Sequence, residues 1–328
     1  MMTIDAKEIS NIHVIGSSRN RVLIVKQRNS TSPLVVKSED TVTVNPNKDV
    51  RGNVGAMLEF HGSLFSSLRA LPFKTERLQE KEITALRSCS PNNVTGLNAG
   101  ETWPALYESE IANSSTGRKS AVKISYIEQL ANLGGMVKDD RQIGPLRTAL
   151  ESGNMDFMFQ IGEIYAVDLF IGNHDRFNAK GFLEGPQNLF FSLKGGVLQA
   201  TGIDTYDVFG MWSDLNKTIE DLELANRGSK WPGRVLAHGN VKDRDAKARM
   251  AVEEVLIFAY NLPGNWGSDS SRAVVACNIS KSRKDKLVAQ LHKGMSEAKS
   301  TLRKKYKLSD NMAGLSAGIR SRWSIIRG

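Results

Sequence analysis

Between residues 168 and 206 the chain reads DLFIGNHDRF, then NLFF, then GVLQATGID, and three of its polar groups could do chemistry together: Asp175, Asn188 and Asp204. Each sits where an apolar run begins or ends. Asp175 follows the stretch that starts at Met155, Asn188 opens NLFFSL, and Asp204 closes GVLQATGID. Apolar runs of this kind become buried elements, and their ends carry polar groups from a rigid core to one edge. An amide and a carboxylate on consecutive strands suit Mg²⁺, which takes hard oxygen donors from the protein, phosphate and water. A second carboxylate in the preceding loop suits the orientation of an attacking hydroxyl. These are the needs of phosphoryl transfer, in which the protein mainly positions reactants and neutralises charge.

Such chemistry also needs a cation on the phosphates that are not transferred, and the N-terminal region offers one. NIHVIGSSRNRVLIVKQ reads as two β-branched strands joined by a polar turn, and SPLVVKSED as a third strand opened by Pro33. Lys37, the last residue of LVVK, suits the cation. Glu59 lies in VGAMLEFHGSLFSSLRAL, where Met57, Leu58, Leu64, Phe65, Leu68 and Leu71 recur at helical spacing, and it could hold Lys37 extended. Ser17 and Ser18, in the turn GSSRNR, could present N–H groups and hydroxyls to phosphate. WPALYESEIA and KSAVKISYIEQL read as two more strands. Lys123, in the second of them, competes with Lys37. It follows the Glu-bearing helix where Lys37 precedes it, so it is expected to be an outward surface residue.

From Met155 the character changes. MDFMFQIGEIYAVDLFIGN is apolar almost all round and is expected to form a buried helix. NLFFSL and GVLQATGID follow as strands separated by Lys194-Gly195-Gly196, and MAVEEVLIFAYNL and KDKLVAQLHKGMSEAKSTLRKKYKL read as helices. The expected fold is therefore α+β, with a small β-rich N-terminal lobe over residues 1–128 and a larger, mainly helical C-terminal lobe over 129–328. A connection near residues 126–136, which includes Tyr126 and Glu128, would join them.

The succession of a helix running into Gly-Asn-His-Asp-Arg, Asn188 at the head of a strand, and Ile203-Asp204 resembles the catalytic core of atypical protein-kinase-like proteins. The actin-fragmin kinase group is nearest, with phosphatidylinositol 3/4-kinases and bacterial persistence-toxin kinases more distant. The resemblance follows the order of elements over residues 12–210, while the motifs themselves lie within 168–206. It implies a two-lobed kinase fold with ATP and Mg²⁺, or Mn²⁺ in its place. Asp175 becomes the catalytic Asp, Asn188 and Asp204 the metal ligands, and Lys37 the ATP-anchoring Lys with Glu59 as its partner. Tyr126 and Glu128 fall where the adenine edge would be met. Asn188 stands thirteen residues after Asp175, against about five in most kinases, so residues 178–187 must loop out. Asn178 is the competing ligand but precedes no strand. Arg176 is expected to brace the loop rather than react.

A kinase of this type implies a γ-phosphate passed to a hydroxyl, first of all Ser or Thr of a protein, such as a host cytoskeletal or signalling protein. The alternatives are a phosphoinositide kinase, nucleotidyl transfer on the same fold, and a catalytically inactive kinase-like binding protein. The formal net charge is +9, yet residues 281–328 carry thirteen Lys and Arg against three acids, so the rest of the chain is almost neutral. That tail reads first as the solvated face of a C-terminal helix, and otherwise as a surface for acidic lipid or an acidic protein. Nucleic acid is disfavoured, because no aromatic residues interleave with the charges as a single-strand platform requires. Cys89 and Cys277 lie too far apart for a disulfide framework or a metal-ligand pair, and are expected to be buried or free thiols in a reducing compartment. No apolar stretch reaches the roughly 18 residues needed to span a bilayer, and MMTIDAKEIS lacks a signal-peptide pattern. The expectation is a cytoplasmic fold, compatible with a virulence effector secreted into a host cell by a specialised system.

Overall fold

Alternating apolar residues in the first forty positions form three antiparallel strands, β1 (Ile9–Ile15), β2 (Val22–Gln27) and β3 (Leu34–Asp40). This computed structural model describes residues 2–16, 21–40, 67–70, 74–112, 119–128, 130–171, 176–177, 183, 185–203, 241–260 and 279–306. The fold is mixed α+β, sheet-rich at its N-terminal end and helical later. It divides into two units, residues 1–63 with 73–127, and residues 64–72 with 128–328.

In the first unit, β4 (Thr75–Arg77), β5 (Val94–Thr95) and β6 (Lys119–Ser125) complete a six-stranded sheet in the order β4-β6-β3-β2-β1-β5. Its β5 edge is parallel to β1 and its other pairs are antiparallel. Period-two patterning puts Ile12, Val14, Leu23, Val25, Leu34 and Val36 on one buried face. Two helices cover that face, α1 (Glu80–Arg87) and α2 (Trp103–Glu110).

Trp103–Glu110 is a helix, not the strand expected of WPALYESEIA. The buried residues there are Trp103, Leu106, Tyr107 and Glu110, spaced three, one and three apart, which is a helical stripe. Pro104 falls in the first turn, where its missing N–H costs nothing. Over 80–87 the only apolar residues are Ile83, Ala85 and Leu86, and the helix owes its start to a capping box. Glu82 returns a carboxylate oxygen to the backbone N–H of Gln79 at 2.9 Å.

The second unit is built around α5 (Asp156–Ile171), which follows α3 (Leu133–Met136) and α4 (Asp140–Glu151). As its all-round apolar sequence requires, Phe157, Met158, Phe159, Ile161, Ile164, Tyr165 and Val167 are all buried. A three-stranded antiparallel sheet, β7 (Ala131–Asn132), β8 (Leu189–Lys194) and β9 (Val197–Gly202), takes up one side, with the rings of Phe157 and Phe191 6.4 Å apart. The β8–β9 turn uses Gly195 and Gly196 at φ of 57° and 78°, the left-handed values a two-residue hairpin turn demands. Two further helices are described in the unit, α6 (Val241–Tyr260) and α7 (Lys281–Tyr306).

Helix α7 crosses α5 in backbone contact. A Cβ on Gly162 would strike the carbonyl of Leu291, and one on Gly294 would strike the carbonyl of Phe159. Gly162→Ala and Gly294→Ala should therefore each cost on the order of 2 kcal/mol or more by overpacking, read as a lowered midpoint in urea unfolding. Gly144→Ala, where a Cβ meets nothing within 4 Å, is the control and should not destabilise.

Candidate functional site

A single buried guanidinium organises the region that the sequence singles out. Arg176 is fully buried and forms a two-pronged ion pair with Asp168 near the end of α5, Nε to Oδ2 at 2.9 Å and Nη2 to Oδ1 at 2.8 Å. Its Nη1 donates to two backbone carbonyls, Asn188 at 2.7 Å and Ile203 at 2.8 Å. The planar fork of Arg suits this division, with two parallel donors to a carboxylate and another turned to neutral acceptors. Gly202 makes room, since a Cβ there would lie 2.6 Å from the guanidinium carbon.

The clamp joins the end of a helix, the short 3-10 turn Pro186–Asn188 that leads into β8, and the end of β9. Candidates adjoin it in sequence, with Asp175 preceding Arg176 itself and Asp204 following the held residue Ile203. Asn188, the third candidate, is held by its own backbone carbonyl and is buried at 6% exposure. Arg176 thus has the bracing role expected of it.

The long interval before Asn188 closes on itself. Phe177 and Leu183 form an isolated antiparallel bridge, and the Gly185 N–H donates to the Arg176 carbonyl at 3.2 Å. Phe177 is buried against the Tyr165 ring, 5.2 Å between centroids, and the Leu183 N–H donates to buried Glu254 of α6 at 3.0 Å. These contacts pin the two ends of the interval together, so the chain at Asn188 comes back to Arg176 despite the spacing.

In the first unit, Lys37 is half-buried on β3, opposite Val22 of β2 and Val122 of β6. Lys123 is not the outward surface residue that strand order suggested. It is 2% exposed, and its Nζ donates to both oxygens of Glu82 at 2.6 and 2.8 Å, with Glu76 at 3.5 Å. The same two oxygens accept the backbone N–H groups of Ile4 and Gln79, each at 2.9 Å. Register explains the burial: Lys123 stands opposite Val36, whereas Lys37 stands opposite Val122. Directly opposed residues share a face, so Lys123 faces the core under α1 and α2 while Lys37 faces the other side. A buried lysine with every bond met is a structural tie.

Tyr126 is half-buried and Glu128 exposed, and the Glu128 carbonyl accepts from the Ser192 hydroxyl at 3.0 Å. Ser17, Ser18, Glu59, Asp175 and Asp204, with the competitor Asn178, lie outside the described residues. A scan against protein-family models and a search of curated proteins both return nothing that matches this chain.

Two polar residues on α5 escaped the sequence reading. Glu163, 1% exposed, accepts the backbone N–H groups of Arg69 at 3.0 Å and Ala70 at 2.5 Å. Gln160 donates to the Arg69 carbonyl at 2.9 Å and accepts from Ala200 N–H of β9 at 2.7 Å. Together they fasten residues 69–70 to α5 and to the strand that leads to Asp204. The available signal was polar residues at 160, 163 and 168 in an otherwise apolar helix, since such groups persist in a core only when hydrogen-bonded.

Arg176→Lys should lower the unfolding free energy by about 3 to 5 kcal/mol, because one ammonium cannot satisfy a buried carboxylate and two carbonyls together. Denaturant titration checks this, with Arg249→Ala at the exposed Arg249–Asp285 pair as a control of small effect. Burial pushes the Glu163 carboxyl up to about 7 from 4.5, against the pull of the two backbone N–H groups and Arg69. The folded state then holds a proton that the unfolded chain has lost. Stability from this group is complete below about pH 4.5 and is lost as pH rises through about 7, a change of order 3 kcal/mol. Glu163→Gln should flatten that slope in urea unfolding at pH 5 and pH 8.

Proposed function

We propose that this protein is an ATP- and Mg²⁺-dependent phosphotransferase of the atypical kinase type, passing the γ-phosphate to a hydroxyl, in the first place Ser or Thr of a protein. The observation that carries the reading is the Arg176 clamp, which holds the carbonyls of Asn188 and Ile203 on one nitrogen beside Arg176 itself. Three candidates separated in sequence are each in, or one residue from, that cluster. The order of the strands supports the reading as well, with Lys37 on β3 between β6 and β2 in the first unit and a mainly helical second unit after it. The two-lobed kinase arrangement is part of the same proposal.

Asn188 and Asp204 offer an amide and a carboxylate oxygen, the hard donors Mg²⁺ or Mn²⁺ requires. The metal's part is to neutralise phosphate charge. Lys37, held by Glu59, steadies the phosphates that are not transferred, with the turn at Ser17 and Ser18 over them. Tyr126 and Glu128 meet the base. Asp175 accepts the proton of the attacking hydroxyl as its oxygen bonds to the γ-phosphorus and the bond to the β-phosphate oxygen breaks, leaving ADP.

The test is purified full-length protein with Mg²⁺, a cell lysate as acceptor, and ATP labelled at the γ- or the α-phosphate. Label from the γ-position should appear on Ser or Thr, and Asp204→Ala and Lys37→Ala should each reduce it at least about a hundredfold without loss of folding. Transfer from the α-position would replace the reading by nucleotidyl transfer, and a lipid product would make the acceptor a phosphoinositide. No transfer from either position would leave a kinase-shaped binding protein.

A further inference from the structure

The chemistry proposed above makes no use of the chain's largest charge asymmetry, the basic residues from 281 onward. Helix α7 has two unlike sides. Leu287, Val288, Leu291, Met295, Ala298 and Leu302 are buried, and Gly294 brings that side against α5. Lys286, Lys293 and Lys304 are exposed. Their spacings of seven and eleven residues are close to two and three helical turns, so the three ammonium groups follow one line about 27 Å long. Exposed Ser282, Ala289 and Ser296 flank that line, and their small side chains leave the lysines standing proud of it. Glu297, four residues after Lys293 and seven before Lys304, is the one exposed acid on the line, while exposed Asp285 lies to its side. No acid among the described residues lies within ion-pair distance of the three lysines, whereas Lys284 and Asp285, off the line, pair with Glu253 and Arg249.

We infer that this lysine line of α7 docks on an anionic phospholipid surface. A straight, flat row of point charges fits a plane of headgroups, which asks for charge and does not ask for a shaped pocket. Nucleic acid fits less well, because the line has neither aromatic side chains for stacking nor arginines for bidentate phosphate or guanine contacts. An acidic protein face fits less well too, because the line offers no apolar or aromatic anchor to bury. The sequence beyond the described part of α7 adds a second signal of the kind stable membrane association needs. Arg320, Arg322 and Arg327 flank Trp323, Ile325 and Ile326 there in sequence, the mixture of basic, aromatic and apolar residues found at bilayer interfaces.

Sedimentation of the full chain with lipid vesicles tests the inference. The protein should pellet with phosphatidylcholine vesicles containing about 30% phosphatidylserine and stay in solution with phosphatidylcholine alone, and about 0.5 M salt should release it. The combined variant Lys286→Glu, Lys293→Glu and Lys304→Glu should weaken binding at least about a hundredfold, at roughly fivefold or more for each charge. Since all three side chains are exposed, its circular dichroism and urea midpoint should match the parent. The charge-conserving variant Lys286→Arg, Lys293→Arg and Lys304→Arg should still bind. Equal binding by parent and glutamate variant, or no binding at low salt, would overturn the inference. So would preference for a short DNA duplex over the anionic vesicles in direct competition.

Discussion

One buried ion pair sets the geometry of the second unit. Removing both the Arg176 guanidinium and the Asp168 carboxylate from water is costly, and the cost is offset only when every donor and acceptor finds a partner. Here the carboxylate takes two donors, and the remaining guanidinium nitrogen takes two main-chain carbonyls. Those carbonyls belong to the residues that open β8 and close β9, so the requirement for electrostatic satisfaction becomes a requirement on strand position. Charge complementarity, not shape alone, decides which chain ends meet.

The same logic runs along α5. A helix that is apolar all round could rotate or slide in a core at little expense. Gln160, Glu163 and Asp168 remove that freedom, because each must meet a specific backbone or side-chain partner: the segment at Arg69 and Ala70, Ala200 in β9, or Arg176. The glycines remove the rest, since Gly162 and Gly294 leave space for α7 at only one crossing. The helix is therefore indexed by its polar residues and glycines, while its apolar residues supply the burial.

The two lysines of the first unit show how far reasoning from order can go. LVVK and SAVKIS read alike as strands, and both are strands, β3 and β6. Which face each lysine takes depends on the register between them, and a shift of one residue would put both on the same face. Nothing local in either segment carries that register. The strand assigned to WPALYESEIA failed for a related reason, since eight residues are too few for propensity to outweigh the stripe that packs Trp103, Leu106 and Tyr107 against the sheet.

By itself the sequence determined the elements with strong periodicity: the three N-terminal strands, the buried helix α5, the β8–β9 hairpin with its paired glycines, and the long basic helix α7. It also marked Asp175, Asn188 and Asp204 as polar groups at the ends of apolar runs. These features were legible because alternation, helical spacing and glycine turns are local, each set by a few neighbouring side chains. Only the tertiary structure decided that Arg176 gathers Asn188 and Ile203 on one nitrogen, that the long interval before Asn188 closes through Phe177 and Leu183, and that Glu82 claims Lys123. Those outcomes rest on partners 6 to 41 positions apart in sequence. A buried charge takes whichever partner the packed chain brings within reach, and that choice is made by the fold as a whole.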